Sequence, residues 1–194
     1  MADENQKIKN YIKNSSRAIN SINKYTKEIK KISKIFKEAK RRRKNIFVCG
    51  NGGSYAEAEH FVAELVCTYD KRDRKSYPAV LLGSNNESLS AWSNDFDYKT
   101  YLCREIDALA SKDDILIIMT TSGGNEKLNQ SKNLLNAAKL AKQKRMKVIS
   151  LTGKKGGDIL KYSDNFIHIK NKKTSFVQEA HLVILHMICE LLEN

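Results

Sequence analysis

The sequence predicts an α/β protein: a three-layer sandwich in which a central parallel sheet is flanked by helices. Short, uninterrupted apolar runs such as residues 115–119 are typical of strands that are buried on both faces of a parallel sheet. These runs alternate with segments of helical periodicity, which is the pattern of parallel strands joined by crossover helices. With 194 residues, the chain is long enough to form one domain with a full core.

The N-terminal segment is predicted to be helical and amphipathic. Residues 4–44 contain no Gly or Pro, and isoleucines recur at a spacing close to three or four residues. The stripe consists of Ile8, Ile12, Ile19, Ile22, Ile29, Ile32 and Ile35. One or two long helices are expected, and their apolar stripe needs a partner, either the domain's own sheet or matching helices of another subunit. We therefore divide the chain into an N-terminal helical segment, 1–44, and an α/β unit, 45–194, within one structural domain.

Strands and helices are expected to alternate after residue 44. Apolar runs bounded by Gly, Pro, Asn and Asp indicate the strands, and the spacing of apolar residues such as Leu102, Ile106 and Leu109 indicates a helix. The expected order is a strand at 46–49, a helix with His60 and Glu64, a strand at 77–82, the helix with Leu102, a strand at 115–119, a helix at 131–144, strands at 147–152 and 165–169, and a last helix that opens at Ser175.

The basic charge of the chain is concentrated at its N-terminus. Residues 1–44 hold 15 Lys and Arg against 4 Asp and Glu, whereas residues 45–194 hold 20 against 18. The lysines of the segment have little aromatic interleaving and lie in no nucleic-acid-binding motif. We expect a solvated basic helix with some attraction for anionic substrates on a nearly neutral domain, and no nucleic-acid partner.

Targeting and cysteine patterns place the protein in the cytoplasm. No apolar run reaches the length of a membrane span and no signal-peptide pattern is present, so no membrane partner is expected. The four cysteines are widely spaced and form no CxxC pair. This spacing favours reduced thiols over a disulfide framework or a cysteine zinc site.

The loop after the first strand has the features of an anion-binding turn. Three glycines between residues 50 and 53 permit a tight turn with exposed N–H groups, and the following helix adds a positive dipole end. Ser54 and Glu57 have the spacing of a capping box, which is the alternative role for both. His60 and Glu64, four residues apart, share one helix face and could serve proton transfer, a metal or a simple surface pair.

A second loop rich in glycine and hydroxyl groups follows the strand at 115–119. It reads Thr-Thr-Ser-Gly-Gly-Asn over residues 120–125. Ligands of open α/β sheets bind at the carboxyl ends of strands, and hydroxyls with backbone N–H groups suit a phosphoryl group. An ordinary turn is the alternative for this loop alone, but two such loops favour a phosphate site.

The last helix carries three polar residues of interest. Ser175 and Gln178 again have capping-box spacing, so Gln178 has a possible local role. His186 lies on an apolar helix, where a hydrogen-bonded core histidine and a catalytic histidine both remain open.

Taken in order, these motifs resemble the bacterial phosphoheptose isomerases of the sugar isomerase (SIS) domain family. The resemblance covers nearly the whole chain to residue 194. It rests on Gly50–Ser54 with His60 and Glu64, Asn94-Asp95-Phe96, Thr120–Gly123, Leu151–Gly153 with Gly156-Gly157, and Val177–His181 with His186.

The resemblance implies a flavodoxin-like SIS fold and a homotetramer with interfacial active sites, in which the N-terminal helices serve oligomerisation. It implies conversion of D-sedoheptulose 7-phosphate to D-glycero-D-manno-heptose 7-phosphate, with Glu64 as the base and His186 as the acid. One Zn²⁺ per subunit would be held by His60, Glu64, Gln178 and His186. The implied substrate-binding residues are Asn51, Gly52, Gly53, Ser54, Glu64, Asn94, Asp95, Thr120, Thr121, Ser122, Ser131 and Gln178.

The sequence also departs from the family pattern. Thr68 stands where many members have Arg, Ser175-Phe176 precede Val177 where an acidic or small residue and Arg are usual, and the loop at 124–130 is about six residues longer. Ser131 is therefore the expected counterpart of the last phosphate-loop serine. Two alternatives remain: an isomerase of another phosphosugar, and a non-catalytic SIS-domain protein of the kind that binds a replication initiator.

Overall fold

The computed structural model describes residues 2–193 and contains a five-stranded, fully parallel sheet. The strand order is β2-β1-β3-β4-β5, so the order reverses between β1 and β3. The elements are α1 (Ala2–Asn20), a 3₁₀ helix (Ser21–Tyr25), α2 (Thr26–Arg41), β1 (Ile46–Cys49), α3 (Gly53–Val66), β2 (Ala79–Leu81), α4 (Asn86–Asp95), α5 (Tyr98–Leu109), β3 (Ile115–Thr120), α6 (Lys132–Gln143), β4 (Lys147–Thr152), a second 3₁₀ helix (Asp158–Tyr162), β5 (Asn165–His168) and α7 (Thr174–Leu192).

Helices cover both faces of the sheet, which confirms the predicted sandwich. Successive strand residues point to opposite faces: Ile46 and Val48 belong to the core beneath α1, α2, α3 and α7, whereas Phe47 and Cys49 belong to the core beneath α5 and α6. All six residues of β3 are buried, as its uninterrupted apolar run predicts. The two cores fix the helices that carry the functional side chains against the faces of the sheet.

The isoleucine stripe of the N-terminal segment has two environments. Ile22, Ile29 and Ile32 are buried in the domain's own core, packed with α7 and the sheet. Ile8 and Ile12, in contrast, are 57% and 59% exposed. The stripe therefore packs on its own domain over α2 and leaves an apolar patch free on α1.

One expectation about an individual helix needs correction. Leu109, predicted as an apolar contact, is 54% exposed because α5 ends there and its buried contacts are made by Leu102 and Ile106. The segment around Trp92 forms helix α4, and the side chain of Asn85 caps it by accepting from the N–H of Ser88.

Helix α7 has the length and apolar composition of a possible membrane span. Half of its most apolar window is nevertheless buried inside the domain. It packs against α1, α2 and α3, so its apolar character is explained by its place in the core.

Candidate active site

A hydroxyl-lined cavity of about 210 Å³ opens at the carboxyl ends of β1 and β3. These strands are neighbours in the sheet, so the loops that follow them meet at the point where the strand order reverses. The cavity is lined by Asn51, Gly53, Ser54, Thr120, Thr121, Ser122, Gln130, Ser131, Leu134, Thr174 and Gln178. The structure thus brings together eight of the residues predicted to bind substrate, and we call this space the hydroxyl pocket.

Three hydroxyl groups form the floor of the hydroxyl pocket. The Oγ of Ser122 lies 3.3 Å from Thr120 Oγ1 and 3.1 Å from Ser131 Oγ. Backbone N–H groups orient them: Gly123 donates to Thr120 Oγ1 and Gly124 donates to Ser122 Oγ. Ser131 occupies the N-cap position of α6 with φ +49°, a left-handed conformation that is unusual for serine and brings its hydroxyl to the others. Convergent hydroxyls at a helix N-terminus suit a phosphoryl group.

Both predicted capping boxes are wrong. Helix α3 begins at Gly53 with Gly52 at the N-cap, because Gly52 adopts φ +57°, and no side chain caps the helix. Ser54 is therefore the second helical residue and lines the hydroxyl pocket. In α7 the N-cap is Lys173, again without a side-chain cap, so Ser175 does not cap the helix.

Gln178 lies directly over the Gly-rich loop. A Cβ atom added to Gly53 would stand 2.3 Å from Gln178 Nε2, so a side chain at this position would displace the amide. The contact joins the N-terminal turns of α3 and α7. Gln178 is thereby a wall of the hydroxyl pocket.

His60, Glu64 and His186 form a second group, further along the same two helices. The Nε2 atoms of His60 and His186 are 2.9 Å apart, and His60 Nε2 lies 3.6 Å from Glu64 Oε1. The Glu64 side chain is 22% exposed and that of His60 44% exposed, so the group is open to solvent on one side. His186 is half-buried and contacts His60, so it is not a core histidine bonded to the backbone. We call these three side chains the His-Glu-His cluster.

The core histidine of α7 is His181 instead. It is completely buried, and its Nε2 lies 3.3 Å from the carbonyl oxygen of Thr152. Burial lowers the pKa of His181 to about 4, so the imidazole is neutral at pH 7. Its role is to pack α7 on β4.

The donor types of the His-Glu-His cluster fit zinc, although no formed metal site is present. Among residues 2–193, no group of three or more His, Cys, Asp or Glu side chains has the arrangement of a metal site. Two imidazole nitrogens and one carboxylate are nonetheless a ligand set that Zn²⁺ accepts in catalytic sites. Gln178 lies eight residues before His186, roughly 12 Å along the helix axis, so its assignment as a fourth ligand stays a prediction.

Asn94 and Asp95 lie apart from both groups. They are exposed at the end of α4, where Asn94 Nδ2 donates to Asp95 Oδ1. Asp95 lines a different cavity, with Trp92 and Phe96. The structure of this chain therefore does not bring these two predicted residues to the hydroxyl pocket or to the His-Glu-His cluster.

Sequence reasoning missed Asn133 and Tyr98. Asn51 and Asn133 exchange two amide hydrogen bonds of 2.9 Å and 2.8 Å, and the Tyr98 hydroxyl donates to Asn51 Oδ1. The Asn51–Asn133 pair lies between the hydroxyl pocket and a neighbouring cavity of about 230 Å³. Gly52 lines that second cavity. Asn133 could have been found from the sequence, because it is an amide residue two positions after Ser131. This position is in the first turn of the helix that follows the phosphate-type loop.

These features define an α/β protein with a pocket that suits a small phosphorylated molecule, at the switch point of a parallel sheet. Comparison with known proteins agrees: the SIS domain model matches residues 10–153. The chain belongs to the SIS domain family and, within it, to the phosphoheptose isomerases.

The relatives that support this assignment span most of the chain. The phosphoheptose isomerase of Nitratiruptor sp. is 39% identical over 157 residues, 81% of this chain and 80% of that protein. A phosphoheptose isomerase structure from Francisella tularensis matches with a TM-score of 0.90 and 29% identity over 98% of both chains. The structure from Neisseria gonorrhoeae gives a TM-score of 0.86 and 26% identity over 97% of both.

Proposed function

We propose that this protein is an aldose–ketose isomerase that converts D-sedoheptulose 7-phosphate to D-glycero-D-manno-heptose 7-phosphate. One observation carries the proposal: α3 begins at a phosphate-type pocket and, further along, carries His60 and Glu64 beside His186 of α7. Binding and proton transfer are thus arranged along two packed helices.

The spacing of the two groups suits a seven-carbon phosphosugar. From Ser54 to the His60 and Glu64 positions, α3 advances roughly 9 to 15 Å at about 1.5 Å per residue. A seven-carbon chain with a terminal phosphate spans about 10 Å, since covalent bonds of about 1.5 Å follow a zigzag. With the phosphate among Thr120, Ser122 and Ser131, C1 and C2 would reach the His-Glu-His cluster.

Isomerisation then follows from the chemistry of the side chains. The Glu64 carboxylate removes a proton from C1, which produces an enediol, and returns a proton to C2. His186, beside it, donates a proton to the oxygen on C2 and accepts the one lost from the oxygen on C1. Atoms balance, because the substrate and product are isomers and each group ends in its starting protonation state.

We further propose that one Zn²⁺ is bound by His60, Glu64 and His186, with Gln178 as a fourth ligand in the assembled protein. When bound, Zn²⁺ would polarise the oxygens on C1 and C2 and stabilise the negative charge of the enediol. The convergence of two imidazole nitrogens supports the proposal, since two lone pairs at 2.9 Å need a shared proton or a cation between them.

The proposed assembly is a homotetramer with active sites at subunit interfaces. The exposed Ile8 and Ile12 support it, because an apolar patch on an exposed helix suits a second copy. The exposed position of Asn94 and Asp95 is consistent with a role in a neighbouring subunit's site. We place the protein in the cytoplasm, where phosphorylated sugars are made, in the synthesis of nucleotide-activated heptose for lipopolysaccharide or capsule.

The direct test is turnover of sedoheptulose 7-phosphate by the purified protein, with and without added zinc. Glu64→Gln and His186→Ala should each lower kcat by 10² to 10⁴-fold, the usual contribution of a general acid or base. Glu59→Gln, exposed on the same helix, should leave kcat unchanged. Absence of turnover in the wild type under both conditions, with capture of a replication initiator protein, would show the non-catalytic alternative; turnover of a different phosphosugar would correct the substrate.

A further inference from the structure

A second cavity lies at the opposite edge of the sheet from the hydroxyl pocket. Its lining includes Lys44, Asp113 and Lys147, which stand within two residues of the starts of β1, β3 and β4. The volume is about 350 Å³, within the range of small-molecule sites. We call it the amino-edge cavity; neither the proposed reaction nor the comparisons assign it a role.

The amino-edge cavity is lined by six cationic and three anionic side chains. The three carboxylates already have cationic partners: Glu38 pairs with Arg41, Asp113 with Arg42, and Asp164 with Lys142. Lys44 donates to the carbonyl oxygen of Lys112. The remaining cations are Lys31, Lys34, Arg145 and Lys147.

These four side chains have no hydrogen-bond or ion-pair partner within residues 2–193. Lys31 and Lys34 come from α2, Arg145 from the turn before β4, and Lys147 is the first residue of β4, so the fold itself brings together like charges that are far apart in the sequence. Like charges at one concave surface repel each other unless an anion binds. The cavity also has an apolar floor that includes Ile35, Ala39 and Met146.

We propose that the amino-edge cavity binds a small molecule that carries a chain of phosphate groups, such as a nucleoside triphosphate or inorganic triphosphate. Four cations without partners are matched more fully by the several negative charges of a phosphate chain than by a single phosphate. A nucleic acid fits less well, because the site is a compact cavity with carboxylates among its lining residues rather than a long basic stripe. The proposal is independent of the isomerase function.

The test is a titration of the full-length protein with inorganic triphosphate at two salt concentrations. Lys34→Gln combined with Arg145→Gln should weaken binding at least tenfold, and a second pair, Lys31→Gln with Lys147→Gln, should do the same. The matched control, Lys9→Gln with Lys13→Gln, removes the same charge from α1, outside the cavity, and should change binding less than twofold. Ser122→Ala, in the hydroxyl pocket, should also leave triphosphate binding unchanged.

The source of the phosphate chain is decided by comparing ATP with triphosphate. Tighter binding of ATP indicates a nucleotide whose base contacts the apolar floor, and equal binding indicates a free polyphosphate; either supports the site. Equal weakening of triphosphate binding by the control pair would overturn the proposal, since it would show only a general attraction of anions to a basic protein. Loss of binding in Ser122→Ala, or tighter binding of a single-stranded oligonucleotide through the same cations, would also overturn it.

Discussion

At Asn133, one buried side chain connects the two loops of the hydroxyl pocket. Its exposed fraction is 3%, and its amide is matched by Asn51, 82 residues earlier in the chain. The pairing fixes the loop after β1 to the first turn of α6. An amide pair of this kind fixes Asn51 at the wall of the hydroxyl pocket.

Asn133→Ala should therefore weaken both the fold and substrate binding. Removal of Asn133 leaves the half-buried Asn51 amide with only the Tyr98 hydroxyl as a partner, which costs about 1 to 3 kcal/mol of unfolding free energy. KM for the phosphosugar should rise more than kcat falls. Urea denaturation and steady-state kinetics measure the two effects. Asn136→Ala, one turn on, half-buried and with its amide on the carbonyl oxygen of Lys99 instead of Asn51, is the control; an equal KM change there would contradict a positioning role.

Glu57 is the buried carboxyl group of α3, and the Ser54 hydroxyl beside it only partly offsets the effect of burial on its pKa. Burial raises the pKa of Glu57 to about 8 from an ordinary value of 4.5. The folded state thus holds this proton more tightly than the unfolded chain, so stability from this group is lost as pH rises through 8. His181 acts in the opposite direction, since its pKa falls from 6.5 to about 4 and stability is lost as pH decreases below 6.5.

Above pH 6.5 the His181 imidazole is neutral in both the folded and the unfolded chain. Of these two groups, only Glu57 then changes the stability with pH. The unfolding free energy should fall by about 1.5 kcal/mol between pH 6.5 and pH 8. Glu57→Gln, which cannot ionise, should flatten this decline, whereas Glu59→Gln on the exposed face should keep it. Denaturant melts at a series of pH values give the result, and an unchanged decline in Glu57→Gln would refute the assignment.

At the scale of elements, the loops after β3 and β4 pack backbone against backbone. A Cβ atom on Gly123 would stand 1.7 Å from the carbonyl oxygen of Gly156, and one on Gly157 would stand 2.3 Å from Gly123. Gly123 also has φ +75°, which L residues rarely adopt. This crossing holds Thr120 and Ser122 in place beside Ser131.

Gly123→Ala should cost about 3 kcal/mol or more of unfolding free energy, because the opposing backbone cannot move aside. Gly124→Ala is a matched control: its φ of +71° is similar, but its nearest atoms lie 3.6 Å away. Only the conformational strain of about 1 to 2 kcal/mol is expected there. Thermal and urea unfolding compare the two, and equal losses would show that the crossing is not tight.

At the scale of the whole molecule, the two edges of the sheet carry different chemistry. The carboxyl edge holds the hydroxyl pocket and the amino edge holds the cluster of unpaired cations. The N-terminal segment contributes to the second edge through α2, while α1 is anchored to α7, where Tyr11 and Ser15 donate to the carboxylate of Glu179. The anchored α1 presents its apolar patch outward.

Ile8→Gln combined with Ile12→Gln should reduce the proposed tetramer to smaller species, because the patch would lose its apolar contacts with another copy. Sedimentation velocity at several protein concentrations measures the change. Lys9→Gln with Lys13→Gln, on the same helix, should retain the assembly. A wild type that sediments as a monomer would contradict the tetramer directly.

The sequence by itself determined the fold class, the strand positions and the two loops of the hydroxyl pocket. Uninterrupted apolar runs, helical periodicity and glycine spacing are local properties of the sequence. The ends of β1, β3 and β4 were therefore predicted to within one or two residues. The local signals failed at the capping boxes, because the positive φ of Gly52 started α3 before Ser54.

Only the tertiary structure decided which side chains meet. His60 and His186 are 126 residues apart, and their contact depends on α3 packing beside α7. The placement of Gln178 over Gly53 follows from the same packing. The separation of Asn94 and Asp95 from the pocket follows from the packing of α4 on α5. The physical reason is that periodicity specifies which face of an element is buried, whereas strand order and helix pairing specify what that face contacts.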